Sequence, residues 1–295
     1  MAKIEFISIR KGSYPVSPNS IPYLILVALC AIALLILLIH KRAAWPLILL
    51  LSFSGMIYVF EFFIFILHDC YRYSPHLVGI SYYDNALGAV CSNLLAVPVA
   101  AAYIAVYRLN WRWIVCLALA FGGIEWSFLQ LGVYEHYWWK TAYTILLLLV
   151  FFRFSRQWPI WLSGRYRAIE IITLLMFAWS VLGTLVYALA LTGVRIFHIG
   201  YFEDPYHDDI FFSAIDAFFK AIALTVGVTV TRQPWGKAGS LLVIFLTHVV
   251  LMRLGILKIM IPLWQYWLIY APCCIAVLWL VAASDRKLDR FRAEH

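Results

Sequence analysis

The sequence predicts an all-α integral membrane protein with about nine transmembrane helices. Three observations support this fold class. The chain has 295 residues, of which 64% are hydrophobic and only 13% are charged. Its mean hydropathy is +0.87, which is more apolar than a soluble core requires. Long apolar runs also follow one another, with short polar segments between them. We therefore exclude a soluble globular protein and expect the lipid bilayer as a partner.

Each predicted span meets the requirement of about 20 apolar residues for crossing the hydrocarbon core, with one exception. The fifth run is short unless Trp138 and Trp139 enter the interface with it. The first run follows a polar segment and has no clear cleavage site, so it is predicted to be a true span. The predicted spans are 21–40, 44–67, 86–107, 113–134, 141–154, 168–193, 210–231, 239–260 and 262–283.

The distribution of Lys and Arg predicts the orientation in the cell membrane. One side receives Lys41, Arg42, Arg108, Arg112, Arg153, Arg156, Arg165, Arg167, Arg232, Lys237, Arg286, Lys287, Arg290 and Arg292. The other receives Lys3, Arg10, Lys11, Arg72, Lys140, Arg195 and Lys258. The richer side is predicted to be cytoplasmic, which places the N-terminus outside and the C-terminus inside. The net charge of +8 thus reflects topology, and we expect no nucleic-acid partner.

The sequence indicates no cofactor and no metal. The six cysteines show no CxxC or Cys/His spacing, and most lie in apolar runs. The acidic outer segment 201–209 contains carboxylates and a histidine that could hold a divalent ion. A solvated acidic loop at the start of the seventh helix is the simpler interpretation.

A weak internal repeat predicts two related four-helix units. Glu125-Trp-Ser-Phe-Leu-Gln-Leu131-Gly132 resembles His248-Val-Val-Leu-Met-Arg-Leu254-Gly255. An aspartate near the outer end of a helix precedes each stretch, Asp84 in one case and Asp216 in the other. The units would share one orientation, related by a pseudo-twofold axis along the membrane normal. The predicted domains are 1–43 with an extra N-terminal helix, 44–156, 157–284, and a basic cytoplasmic tail at 285–295.

Polar side chains inside the spans are the candidate functional residues, because a charge in hydrocarbon is costly unless it is paired or protonated. The predicted catalytic residues are Glu125, Asp216, Glu61 and Asp84. The predicted substrate-binding residues are His248, Lys220, Arg253, Trp126, Tyr82, Tyr83, Trp138 and Trp139. At 1.5 Å per residue, Glu61 and Asp216 would lie roughly 10 Å, and Glu125 roughly 14 Å, below the outer boundary.

Structural roles remain open for several of these residues. Asp216 and Lys220 are spaced i,i+4, so they could neutralise each other on one helix face. Glu125 could form an interhelical hydrogen bond that only fixes packing. Arg253 could share a face with His248 or point toward Glu125.

The segment from Asp84 to about Phe154 resembles an uncharacterised family of small multi-pass membrane proteins from Gram-positive, often spore-forming bacteria. The residues that carry this resemblance are Asp84, Pro98, Glu125, Trp126, Leu131, Gly132, Trp138, Trp139 and Thr141. The resemblance implies a membrane location. In architecture alone, the chain is also similar to integral-membrane terpene cyclases and lycopene cyclases, which have few helices, weak duplication and paired membrane carboxylic acids.

Three functions are compatible with these features. The first is a membrane enzyme that acts on a lipid or isoprenoid by acid catalysis, with aromatic walls that stabilise a cation. The second is an ion- or proton-coupled transporter. The third is a structural or ligand-sensing membrane protein. In all three, we expect an outward-opening polar pocket between the units that takes a hydrophobic small molecule, with Glu125 near its floor. The sequence does not predict the oligomeric state.

Overall fold

A computed structural model describes residues 17–164, 166–231 and 233–294. Within these residues, nine helices are long and apolar enough to span a membrane, which confirms the all-α multi-pass fold. They are α1 Ser20–Lys41, α2 Trp45–Leu67, α3 Ser81–Tyr107, α4 Trp111–Gln130, α5 Thr141–Ser163, α6 Arg167–Leu191, α7 Pro205–Thr229, α8 Pro234–Arg253 and α9 Leu263–Glu294. Five cations of the topology count lie outside the described residues, namely Lys3, Arg10, Lys11, Arg165 and Arg232. The orientation in the membrane remains a prediction.

Two helices end earlier than the apolar runs predict. The fourth and eighth runs extend to 134 and 260, but α4 ends at Gln130 and α8 at Arg253. Gly132 and Gly255 follow these ends with φ angles of 68° and 72°. Glycine adopts this left-handed conformation without a Cβ clash and commonly terminates helices. The apolar residues after each glycine therefore belong to extended segments.

Each of these extended segments contributes one strand to a short two-stranded antiparallel sheet that the sequence did not predict. We call each two-stranded sheet a hairpin, although two long helices and not a tight turn connect its strands. Strand β1 (Tyr71–Tyr73) pairs antiparallel with β2 (Tyr134–His136). Strand β3 (Arg195–Phe197) pairs in the same way with β4 (Leu257–Ile259). Because successive helices run in alternate directions, both hairpins lie at the same end of the bundle, which we call the hairpin end.

Helices α2, α6 and α7 form the centre of the bundle. A Cβ atom on Gly55 of α2 would lie 2.1 Å from the carbonyl oxygen of Met176, so these helices approach too closely for any larger residue. Ser52 Oγ donates a hydrogen bond to the Thr173 carbonyl at 2.9 Å, between the same two helices. The two halves of the chain therefore meet along α2 and α6.

Helices α2 and α3 each contain one wide, π-helical turn. These turns span Phe62–Leu67 in α2 and Cys91–Ala96 in α3. Such turns are rare and frequently occur at functional sites. Glu61 immediately precedes the first, and Asn93 lies within the second.

Two predicted domain boundaries fall inside helices. Helix α5 continues to Ser163, so the boundary between 156 and 157 lies within it. The predicted tail from 285 onward continues helix α9, and its residues Leu288 and Phe291 are buried. Arg292 forms an ion pair at 2.6 Å with Glu170 of α6. The basic end of the described chain is therefore part of the packed bundle.

Candidate functional site

A cavity of about 360 Å³ lies in the first half of the chain, among α1 to α5 and beneath the β1–β2 hairpin. This volume is in the range of small-molecule sites in proteins. Both Glu61 and Glu125 line the cavity. The structure thus brings two of the four predicted catalytic carboxyl groups to one space.

Glu61 is buried at the hairpin side of α2. The Tyr71 hydroxyl of β1 lies 2.6 Å from each of its two carboxylate oxygens. Burial, reinforced by the nearby Glu61 carboxylate, raises the pKa of Tyr71 well above its usual value. The phenol therefore remains protonated and donates its hydrogen bond to Glu61.

Glu125 is held from two sides. His136 Nε2 of β2 lies 2.9 Å from Oε1, and the Thr144 hydroxyl of α5 donates to Oε2 at 2.5 Å. Trp139 Nε1 donates in turn to the Thr144 oxygen at 2.8 Å. His136 on one side, and Thr144 supported by Trp139 on the other, thus fix the orientation of the carboxylate.

The depth predicted for Glu125 is wrong. Helix α4 ends at Gln130, so Glu125 lies about 7.5 Å from that end at 1.5 Å per residue, not roughly 14 Å. The predicted span counted residues 131–134 as helix, which are the turn after α4 and the first residue of β2. Glu125 is therefore close to the hairpin and not near the middle of the span.

The cavity is polar at one end and apolar at the other. Glu61, Glu125, Tyr71 and Thr144 contribute polar atoms near the hairpin. Away from the hairpin, the walls are apolar and aromatic and include Val97, Phe121, Leu148, Phe151 and Phe154. A ligand that fills this space must match both environments.

Four partners of the carboxylates were absent from the sequence prediction: Tyr71, His136, Thr144 and Asn93. Asn93 lines the cavity from the wide turn of α3. Tyr71 and His136 face each other in the β1–β2 register. The alternation Tyr71-Arg72-Tyr73 is the one sequence signal that indicates a short strand here.

Asp84, a predicted catalytic residue, lies outside the cavity and is bound to the backbone of the preceding loop. Its two carboxylate oxygens accept hydrogen bonds from the backbone amides of His76, Leu77 and Val78, at 2.7–2.9 Å. It lies at the start of α3 and does not line the cavity. A carboxylate that satisfies three amides fixes the loop before the helix and has little capacity left for a substrate.

Of the five aromatic residues predicted as walls, Trp139 alone lines this cavity. The side chain of Trp126 is 60% exposed, since it points away from the bundle on α4. Trp138 is also exposed, beside the hairpin. Both are in place for contact with lipid or its interface, which is a common role of tryptophan in membrane proteins.

Tyr82 and Tyr83 join the two halves of the chain. Tyr82 stacks on His207 of α7 with 4.0 Å between ring centroids. The Tyr83 hydroxyl donates to Asp209 Oδ2 at 2.7 Å. Both residues are buried, and their contacts indicate a packing role.

Asp216, Lys220 and His248 form a separate buried cluster in the second half. Lys220 makes an ion pair with Asp216, and its Nζ lies 3.2 Å from His248 Nδ1. His248 Nε2 lies 2.7 Å from the Tyr266 hydroxyl, and Tyr270 stacks on the imidazole at 4.1 Å. The i,i+4 pairing of Asp216 with Lys220 is therefore observed. None of these residues lines the cavity that contains Glu125.

Arg253 does not join either group. It is the last residue of α8 and is exposed. Of the two alternatives left open for Arg253, the approach to Glu125 is not observed, because Glu125 lies in the other half of the chain and is bound by His136 and Thr144.

The predicted solvated acidic loop is also wrong for two of its carboxylates. Asp208 and Asp209 are fully buried. Asp209 Oδ1 accepts hydrogen bonds from Arg195 Nη1 at 2.8 Å and from the Phe197 amide at 2.7 Å. Arg195, the first residue of β3, is itself buried. Among the residues that the structure describes, no group of three or more His, Cys, Asp or Glu side chains is arranged to hold a metal ion.

A smaller cavity of about 110 Å³ lies between the two halves. Glu61 and Asn93 line it as well as the larger cavity. On its far side are Trp179, Thr184 and Ser213 of α6 and α7. Glu61 therefore stands in the wall between the two spaces.

No protein-family profile, curated protein or solved structure matches this chain. The resemblance to the uncharacterised bacterial family stays a prediction. The geometry and chemistry of the larger cavity are the basis for a functional proposal.

Proposed function

We propose that this protein is a membrane-embedded enzyme that isomerises a hydrophobic alkene of the isoprenoid class by acid catalysis. One observation carries the proposal: two glutamates on different helices, Glu61 buried and Glu125 with 11% of its side chain exposed, face one cavity whose remaining walls are largely apolar and aromatic. In many active sites, two carboxyl groups in different environments serve as the acid and the base.

Glu61 is the proposed acid. It is buried and faces apolar walls, and a carboxyl group in such surroundings keeps its proton more readily than one in water. Its proton adds to one carbon of the alkene, and the π electrons form the new C–H bond. A carbocation then remains on the neighbouring carbon. The Tyr71 hydroxyl stabilises the glutamate anion that this step leaves behind.

Glu125 is the proposed second carboxylate. His136 and Thr144 hold its two oxygens in place at the cavity wall, and in this role the carboxylate places a negative charge beside the cation. The cation rearranges, or closes a ring with a second alkene. A proton from an adjacent carbon then passes to a carboxylate, and its C–H electrons form the new double bond. Substrate and product are isomers, so no other reactant is consumed.

The aromatic walls suit this intermediate. Tyr73, Tyr134 and Trp139 line the cavity near the carboxylates. Aromatic faces attract a desolvated cation by about 2 kcal/mol in favourable cases. They also exclude water, which would otherwise trap the carbocation as an alcohol.

The test is isomerisation in heavy water. Purified protein in lipid nanodiscs is incubated in D₂O with farnesol, geranylgeraniol or squalene, and extracts are separated by chromatography with mass detection. We expect a product with a new retention time that carries one added deuterium per initiating protonation. Glu61→Gln should abolish this product, because an amide cannot supply the proton.

Glu203→Gln is the matched control, because Glu203 is an exposed acid far from the cavity lining. It should convert substrate at the wild-type rate. If Glu61→Gln folds and still yields the deuterated isomer, or if no isomer forms from any of the probes, the proposal is wrong.

Non-catalytic binding of a lipid is the second candidate. Both oxygens of Glu125 already accept hydrogen bonds within the protein, which favours a fixed recognition group over a proton carrier. In that case, the probes would bind and be recovered unchanged, without deuterium. The same experiment therefore separates the two functions.

A further inference from the structure

The larger cavity opens sideways toward the surface that faces the bilayer. Phe60 of α2 and Leu147, Val150 and Phe154 of α5 line it, and all four are exposed. Val150 is the most exposed of them, at 62%. In a membrane-spanning bundle, an exposed side chain on a span contacts lipid. The cavity wall is therefore continuous with the lipid-facing surface between α2 and α5.

Two aromatic contacts mark the limits of this opening. Nearer the hairpin, Phe60 meets Trp139 with 6.1 Å between ring centroids. Deeper in the bundle, Phe53 meets Phe151 at 6.0 Å. Phe53 and Phe60 are two turns apart on α2, which gives the opening a height of about 10 Å at 1.5 Å per residue. An extended hydrocarbon chain can pass through such a gap. The polar headgroup of a two-chain phospholipid would have to leave water and cross apolar walls to enter, which is energetically costly.

We propose that the cavity takes a linear isoprenoid chain directly from the bilayer through the opening between α2 and α5. The reacting end lies beside Glu61 and Glu125, and the rest of the chain extends away from the hairpin along Phe121, Phe151 and Phe154. Along α5, the distance from Thr144 to Phe154 is about 15 Å at 1.5 Å per residue. This inference rests on the proposed function for the reacting end and names the substrate class and its route.

The experiment blocks the opening and measures occupancy of the cavity independently of turnover. Wild-type protein in nanodiscs is mixed with a polyprenol that carries a photoreactive diazirine at its distal end, irradiated, and mapped by peptide mass spectrometry. We expect labels on the α5 segment around Val150 and Phe154. Val150→Trp should lower this labelling about tenfold, because the larger side chain fills the opening through which the chain enters.

Leu146→Trp is the matched control. Leu146 is a lipid-exposed neighbour on the same helix that does not line the cavity, so this variant should label like the wild type. Val150→Ala guards against misfolding of the tryptophan variant, since it widens the opening and should label at least as strongly as the wild type. A parallel experiment with a photoreactive fatty acid tests whether the bound chain is an isoprenoid or a fatty acyl chain. We expect the fatty acid to compete only weakly with the polyprenol.

Several outcomes would overturn the inference: equal labelling in Val150→Trp and wild type, labels confined to the loops or to α8, or stronger labelling by the fatty acid than by the polyprenol. Glu61→Gln separates this inference from the proposed function. If that variant labels normally and wild type converts no probe, the binding route stands and the catalytic proposal fails. If wild type converts substrate and Val150→Trp does so equally well, the route fails alone.

Discussion

Asp84 and Asp208 hold equivalent positions in the two halves of the chain, 124 residues apart. Each is buried near the start of a helix and accepts hydrogen bonds from the backbone of the loop before it. The donors to Asp84 are His76, Leu77 and Val78, and those to Asp208 include Gly200, Tyr201 and Phe202, each again 124 residues later. Asp208, and not Asp216 as predicted, is therefore the counterpart of Asp84.

Replacing either aspartate with asparagine should destabilise the protein. The amide nitrogen would face backbone N–H groups and leave at least one buried donor unsatisfied, at a cost of about 1–3 kcal/mol. Asp208→Asn should cost more than Asp84→Asn, because Ile199 adds a fourth amide. The free energy of unfolding, measured by SDS titration in mixed micelles, checks this. Glu203→Gln in the same loop should leave it unchanged, and a larger loss in Asp84→Asn would contradict the argument.

Removing one partner of the buried Arg195–Asp209 ion pair should destabilise the protein more than removing both partners. Arg195→Met leaves Asp209 charged and without its cation, which costs about 3–5 kcal/mol in unfolding free energy. The double variant Arg195→Met/Asp209→Asn should recover most of this loss, since the equivalent positions of the first half are Tyr71 and Asn85, which carry no charge. The same micelle titration applies, and additive losses in the double variant would refute the pairing.

Glu61 should react with a hydrophobic carbodiimide. Dicyclohexylcarbodiimide partitions into membranes and adds to protonated carboxylic acids, and Glu61 is a buried acid on a cavity that opens to lipid. Peptide mapping should find the adduct at Glu61, and less at Glu125, because His136 and Thr144 already occupy both of its carboxylate oxygens. Asp208, enclosed by backbone amides, serves as the internal control. A protein labelled at Asp208 and not at Glu61 would contradict the assignment of the acid.

The Asp216–Lys220 pair should be dispensable for conversion of substrate. It lies outside the cavity, so Asp216→Asn/Lys220→Met should retain the rate of deuterated isomer formation within about twofold, since ΔΔG‡ stays within about 0.4 kcal/mol. Lys220→Met alone should unfold more easily, because Asp216 then stays buried without its cation. Loss of conversion in a folded double variant would instead return these residues to the active site, as the sequence first indicated.

The helices were predictable because hydropathy alone determines which segments enter a bilayer. The ends of the helices were harder to predict, because the residues after Gly132 and Gly255 are as apolar as the helices they follow. The three-residue strands produce no hydrophobic run of their own. Only the φ angle that these glycines adopt separates helix from strand.

The sequence predicted the carboxyl groups of the candidate site but not their hydrogen-bond partners. Glu61 and Glu125 are conspicuous because a charge is rare inside a span. His136 and Tyr71 lie outside the predicted spans, and their approach depends on pairing across 65 residues of chain. Arg195 also lies between predicted spans and entered the sequence argument only as a cation of the less basic side. Burial of a polar residue in a membrane protein depends on tertiary contacts that hydropathy does not record.

The wide turn in α3 coincides with a one-residue difference in length between the two halves of the chain. Asn85 and Asp209 are 124 positions apart, but Gly132 and Gly255 are 123 apart, so the first half holds one extra residue between them. A π-helical turn is what one inserted residue produces in an α-helix. Helix α7 has no such turn among its described residues. Because the wide turn takes up the extra residue locally, the later side chains of α3 keep the same helical phase as their counterparts in α7. The extra residue is thus accommodated at the turn that carries Asn93, which lines the cavity of the first half.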